Sequence, residues 1–361
     1  MVPCRVPALW RLVPRGGDRD RLGRARPLGL ASQSRLIGEG RRFAERPGWP
    51  PHIPILCSWT GRSRKAGPER DTASVANVEA AWGERPEVEP PVVMGIVNVT
   101  PDSFSDGGLF FEADAAVEHG ERLAAEGAAI LDVGGESTRP GAEPVSEEEE
   151  LRRVIPVVER LSTAGTGARI SIDTRKTGVA LAAVRAGASI VNDVSAFRSS
   201  AEMAGAVADS GAVCVLMHML GEPRTMQEDP RYDDVVSEVK AFLEERLGFA
   251  ASQGIPEERV WLDPGIGFGK TVEHNLELLR RLEEIVAIGR PVVIGTSRKS
   301  FLGKLTGRSE LERLPGTVAT NVIAYERGAS VFRVHEVAPV LDALRVAAAT
   351  VSRRPVEAAA G

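Results

Sequence analysis

Cysteine is scarce in this 361-residue chain: Cys4, Cys57 and Cys214 are odd in number and form no C-x-x-C pair. A disulfide framework and a thiolate zinc site are thereby unsupported, and a reducing, cytoplasmic setting is expected. Histidine is scarce too, with five residues and no cluster among them, so a His-type metal centre is not indicated. Aromatic side chains make up 5% of the chain, too little for the stacking surface that a sugar-cleaving pair of carboxylates would need. No apolar run approaches the roughly 20 residues of a membrane span. Also missing are a G-x-G-x-x-G fingerprint after the first strand pattern and a G-x-x-x-x-G-K-[ST] loop, the usual signs of dinucleotide binding and nucleotide hydrolysis.

What is present is 43% hydrophobic and 26% charged residues, enough apolar material for a large core. The net charge of −5 conceals an uneven distribution. Residues 1–70 hold 15 Lys+Arg against 5 Asp+Glu, leaving 30 Lys+Arg and 45 Asp+Glu for residues 71–361. An acidic body argues against nucleic-acid binding, which is dominated by phosphate neutralisation, so an anionic ligand must meet a local basic site. The Arg-, Pro- and Gly-rich head has no sustained period of 2 or 3.6. Residues 1–85 are expected to be a largely disordered extension rather than a transit peptide, ahead of one domain over 86–361.

From residue 92 onward, short β-branched runs alternate with longer Ala, Leu, Glu and Arg segments. The expected strands are 92–99, 129–134, 169–173, 189–193, 213–217, 259–263, 291–296 and 330–334. Helical patterns lie at 114–125, 147–161, 178–186, 201–210, 235–252, 272–285, 317–326 and 337–351. Ser146 with Glu149 three residues on reads as a capping box, and Pro156 should bend the helix that follows. Eight strand–helix pairs in about 260 residues match a (β/α)₈ barrel. A doubly wound sheet is the alternative, since strand periodicity does not separate an open parallel sheet from a closed one.

Unusual polar residues recur at or just past the strand ends: Asn98, Asp132, Asp173, Asn192 with Asp193, His218, Asp263, Ser297 with Lys299, and Arg333 with His335. A single Asp or Asn there is most simply a turn or cap residue. Eight strands in succession are not explained that way, and in a closed barrel all these ends share one rim. Three loops add to it. Residues 98–108 form a long polar loop ending in two glycines, and residues 134–141 offer Ser137, Thr138 and Arg139 as donors to an anion. Residues 263–270 carry three glycines, a weak phosphate-loop signal by itself. Arg333 and His335 lie two apart on one strand face and could share an anionic group such as phosphate or diphosphate. Asp173, Asp263 and Asn192 would be costly to bury without donors, which the N–H edge of a flat heterocycle supplies.

The segments 95–108, 132–142 and 263–270, with 171–174, 191–193, 217–219, 297–300 and 333–335, resemble dihydropteroate synthases over about residues 92–350. Leu220 stands where Gln often follows the His-Met pair. The resemblance implies a (β/α)₈ barrel that joins (7,8-dihydropterin-6-yl)methyl diphosphate to 4-aminobenzoate, releasing diphosphate, with sulfonamides competing for the aminobenzoate site. Carried over by motif, Asp173, Asn192, Asp263 and Lys299 would hold the pterin ring. Thr138, Arg333 and His335 would hold the diphosphate, and Asn98 would ligate Mg²⁺. Phe104, Ser137, Thr138 and Pro140, with Lys299 and Ser300 nearby, would form the aminobenzoate pocket, and Met217 and Phe268 would pack on the ring. Asp173, Asp263, Lys299, Arg333 and His335 would serve the chemistry. A homodimer is the family-based expectation, with neither nucleic acid nor membrane as partner. Two other readings share the barrel: a non-catalytic pterin-binding protein, and a methyl-transferring enzyme acting on methyltetrahydrofolate.

Overall fold

Each of the eight strands is followed by one or two α-helices, in the strand order the sequence pattern sets out. The computed structural model describes residues 90–100, 109–137 and 142–351. These fall within the compact unit Thr72–Gly361; the other unit, Met1–Asp71, lies outside the described residues. The expected extension 1–85 therefore lies outside them too, as do Phe104, Thr138 and Pro140. The strands are β1 (Val92–Asn98), β2 (Ile130–Gly134), β3 (Arg169–Asp173), β4 (Ile190–Asp193), β5 (Val213–Met217), β6 (Val260–Asp263), β7 (Val293–Ile294) and β8 (Val331–Val334). The helices are α1 (Leu109–Ala125), α2 (Glu147–Thr163), α3 (Thr177–Arg185), α4 (Met203–Ser210), α5 (Val235–Ser252), α6 (Val272–Arg280), α7 (Leu282–Val286), α8 (Ser300–Thr306), α9 (Leu314–Glu326) and α10 (Val337–Val351).

The sheet order is β6-β5-β4-β3-β2-β1-β8-β7, with every neighbouring pair parallel. A parallel bridge between Leu262 and Val292 joins the two outer strands, and the Leu262 N–H donates to the Pro291 carbonyl at 2.9 Å. The ring is closed and the doubly wound alternative falls away, because an open sheet leaves its outer strands apart. Closure sends alternate side chains inward and outward. Outward residues such as Val93, Leu131, Ile172, Leu216 and Phe332 join the main core beneath the helices. Inside, Met94, Ile130, Ile190, Val215, Val293 and Val331 form a separate apolar cluster. Two residues further along the same six strands stand Ile96, Asp132, Asn192, Met217, Gly295 and Arg333. The interior thus changes from an all-hydrocarbon floor to a layer where Asp132, Asn192 and Arg333 stand among Ile96, Met217 and Gly295.

Several elements depart from expectation. The 272–285 pattern is two helices, broken at Arg281, whose ψ of 29° leaves the helical region. Helix α8 has no counterpart among the expected helices, and α9 begins at Leu314, where Pro315 occupies a first-turn position that needs no N–H. Strand β7 is two residues long rather than six. Ser146 does cap α2, its Oγ accepting from the Glu149 N–H at 3.2 Å. The Glu149 carboxylate, however, turns to Arg152 and Arg153, so only half of the box forms, and the helix continues through Pro156 to Thr163.

Candidate active site

A cavity of about 470 Å³ opens at the C-terminal ends of the strands. Asn98, Ser137, Asp173, Asn192, Met217, Asp263, Phe268, Lys299, Ser300, Arg333 and His335 all line it. Every sequence-derived site residue within the described chain is therefore in one place, although Asn98 and His335 stand at opposite ends of the domain sequence. Thr138, Pro140 and Phe104 lie outside the described residues.

The centre of the cavity is ionic. Arg333 donates from Nε to Asp132 Oδ2 at 2.6 Å and from Nη2 to Asp173 Oδ2 at 2.7 Å. Asn192 Nδ2 donates to the same Asp132 oxygen at 3.1 Å. Asp132 is fully buried and Asp173 is 8% exposed, so one guanidinium balances two desolvated carboxylates. Burial pushes the Asp173 carboxyl up to about 7; Arg333 opposes that shift and the nearby Asp132 charge reinforces it. Burial works against the charge on Arg333, but the carboxylates of Asp132 and Asp173 outweigh it and hold the guanidinium ionised. Across the cavity, burial raises the Asp263 carboxyl, while the Gly265 N–H, donating to its Oδ1 at 2.7 Å, and the charge of Lys299 pull it back.

Two loops deliver the remaining groups. After β7, Arg298 adopts φ +57°, a left-handed conformation that is costly for a side chain with a Cβ. The pair with Glu336 (Nε at 2.7 Å), the Thr317 hydroxyl accepting the Arg298 N–H and Arg313 Nη1 donating to its carbonyl at 2.8 Å hold it there. That turn lets Ser297 and Lys299, on either side of it, both face the cavity. Ser297 Oγ lies 2.9 Å from His335 Nδ1 and also accepts the His335 backbone N–H at 3.2 Å, so it fixes the ring's orientation. After β2, Glu136 lines the cavity wall and pairs with Arg175 at 2.8 Å and with Lys176, whose ammonium also binds Glu150. Burial raises Glu136, but the two cations outweigh it and leave its carboxyl below the ordinary range.

Asp132 is among the strand-end polar residues to which the sequence gives no role; the signal for one is its inward position two residues past Ile130. Glu136 and Ser297 lie inside loops the sequence already marks. Asp193 turns the other way: its carboxylate accepts the Ser195 and Phe197 N–H groups at 2.8 Å and shapes the loop behind the site.

A closed parallel barrel with an acid-edged, cation-backed cavity at its strand ends is the architecture of an enzyme that grips a flat ring bearing an anionic arm. The chain belongs to the pterin-binding enzyme family, whose model, described as pterin binding enzyme, matches residues 94–335. It is 46% identical over 274 residues to the dihydropteroate synthase of Escherichia coli strain K12, covering 76% of this chain and 96% of that one. The solved structure of Xanthomonas albilineans dihydropteroate synthase with 4-aminobenzoic acid is 51% identical, with a TM-score of 0.70 over 74% of this chain and 95% of its own. The same enzyme in complex with 7,8-dihydropteroate superposes with a TM-score of 0.67 at 49% identity over the same shares. Within the family the chain groups with these synthases, which are transferases of folate biosynthesis.

Proposed function

We propose that the cavity condenses (7,8-dihydropterin-6-yl)methyl diphosphate with 4-aminobenzoate, giving 7,8-dihydropteroate and diphosphate. The observation that carries this reading is the 2.7 Å contact between Arg333 and Asp173, which sets a cationic strand against an acid edge in one mouth. Asp173, Asn192 and Asp263 offer acceptors to the N–H edge of a pterin, and Lys299 offers donors to its ring acceptors. Arg333 and His335 lie at the diphosphate. Thr138, outside the described residues, joins them on the family pattern. Ser137 and Ser300 stand where the aminobenzoate would enter, with Phe104 and Pro140 as family-based additions.

In this arrangement the bond between the pterin methylene and the diphosphate oxygen breaks, and its electron pair leaves with the diphosphate. Arg333 and His335 stabilise the charge that grows there. The ring is left cationic, and the carboxylates of Asp173 and Asp263 stabilise it. The aromatic amine then forms the new C–N bond and releases its proton to solvent, so no protein nucleophile is required. Asn98 supplies a hard oxygen donor in the cavity wall. The described residues contain no group of three His, Cys, Asp or Glu able to hold a metal ion. A Mg²⁺ held by Asn98 would complete its coordination from the diphosphate and water, a donor set that suits this ion, and would add charge stabilisation to the leaving group.

A cytoplasmic homodimer completes the proposal. No helix among the described residues is long and apolar enough to cross a membrane. Leu305, Leu311, Ile323 and Val346, which lie in or between α8 and α10, expose large apolar side chains, which supports pairing with a second copy. Sedimentation velocity at micromolar protein tests this, a monomer being the outcome against it. For the chemistry, purified chain is supplied with both substrates and Mg²⁺, and diphosphate release is followed. Release must depend on 4-aminobenzoate; pterin binding without release would leave the non-catalytic reading standing instead.

A further inference from the structure

Lys270 closes the glycine-rich loop after β6, and its ammonium is buried, with the residue 3% exposed. Among the described residues, no carboxylate lies within ion-pair distance of it. Its two hydrogen-bond partners are neutral: His218 Nδ1 at 2.9 Å and the Phe268 carbonyl at 3.0 Å. Burial, then the charges of Lys270 and Arg198, lower His218 to about 2, so the imidazole is neutral and its Nδ1 accepts from Nζ. Burial likewise lowers Lys270 itself to about 7, against the pull of the more distant Asp263, and Nζ keeps N–H donors for both partners whether or not it is charged. Phe242 packs against the His218 ring in a T-shaped contact, with centroids 4.9 Å apart. A lysine buried without a counter-charge is expensive, and nothing in the proposed reaction uses it directly.

What it holds is one peptide of the loop. Neutral groups secure the others: Asn275 Oδ1 accepts the Gly267 N–H at 2.7 Å, Gln227 Nε2 donates to the Gly267 carbonyl at 2.5 Å, and the Tyr232 hydroxyl donates to the Gly269 carbonyl at 2.8 Å. The Phe268 carbonyl is left to Lys270. On the cavity side of that same residue, the Phe268 ring lies 3.9 Å from Lys299 Nζ, a cation–π contact. We propose that Lys270 is a positioning residue for the pterin subsite, fixing Phe268 so that its ring places the Lys299 ammonium. This rests on the reading of Lys299 as a pterin ligand.

The test is a double-mutant cycle between Lys270→Met and Phe268→Ala, read by calorimetric affinity for the pterin diphosphate, by the KM for 4-aminobenzoate and by the thermal midpoint. Lys270→Met should weaken pterin binding about tenfold, the scale of one desolvated cation–π contact. The aminobenzoate KM and the midpoint should hold. Placed on top of Phe268→Ala, it should add nothing. Wild-type pterin affinity in a Lys270→Met protein of lowered midpoint would reduce Lys270 to a plain structural staple and overturn the proposal. So would a tenfold loss that persists once the Phe268 ring is gone. Should Lys270→Met not fold, Lys270→Gln keeps the proposal testable: it keeps a polar group but is too short to reach both His218 and the Phe268 carbonyl, so it must show the tenfold loss, and that loss must vanish on top of Phe268→Ala. Lys299→Ala is the separate control, because unchanged pterin affinity there removes the underlying subsite reading rather than the relay alone.

Discussion

Arg333 is shared between two acids, and that arithmetic governs the residue-scale behaviour of the site. Replacing Arg333 with Ala leaves Asp132 and Asp173 buried with no counter-charge, a loss of about 3–5 kcal/mol in folding stability by denaturant unfolding. Affinity for the diphosphate substrate should fall with it, and Arg333→Met, which leaves the same two carboxylates unpaired, should recover neither. Asp132→Asn removes a charge that raises the Asp173 carboxyl, so the Asp173 titration followed by carbon NMR should move below about 7. Beside the buried Lys270, His218 is depressed to about 2 from its ordinary 6.5. A depressed group contributes stability that is full above 6.5 and is lost as pH falls toward 2. The denaturant midpoint should therefore drop between pH 7 and pH 4.5, and the drop should shrink in His218→Gln. Much of this is legible in the sequence: Asp173, Asn192, Asp263, Lys299 and His335 announce themselves as polar residues ending apolar runs. The Arg333–Asp132 pair does not, because its partners are 201 residues apart and meet only when the barrel closes.

Among elements, the loop after β6 carries the sharpest constraint. Gly265 has φ +66°, and a Cβ there would lie 1.9 Å from the His218 carbonyl oxygen. Gly265→Ala should displace the backbone that holds Asp263 and abolish turnover, a result activity and circular dichroism measured together would establish. Gly248, exposed in α5, has nothing within 4 Å of the position an added methyl would take, so Gly248→Ala should raise stability by about 0.5–1 kcal/mol by thermal unfolding. Periodicity finds the long elements because their buried faces repeat. It misses α8, whose seven residues give too short a repeat to register, and the break at Arg281, where hydrophobic spacing continues through a backbone that does not. Strand β7 is shorter than its apolar pattern for a related reason: Thr296 is buried without pairing in a strand, and Val292 pairs only through the single bridge to Leu262.

For the whole molecule, a chain beginning at Val88 retains β1 entire and should match the full-length kcat/KM, since the family model begins at residue 94. Unequal rates would give the preceding residues a part in catalysis. The barrel itself has one thin seam, where β6 and the two-residue β7 are joined by a single bridge at Leu262. Asp263 stands on one side of that seam and Lys299 on the other. A ligand gripped by both becomes the rung that this stretch of the wall is short of, fastening neighbouring staves across the gap. Bound pterin should therefore slow deuterium uptake at the Leu262 amide more than at amides of β1 or β2, and the enzyme would be most firmly hooped when its pterin substrate is aboard.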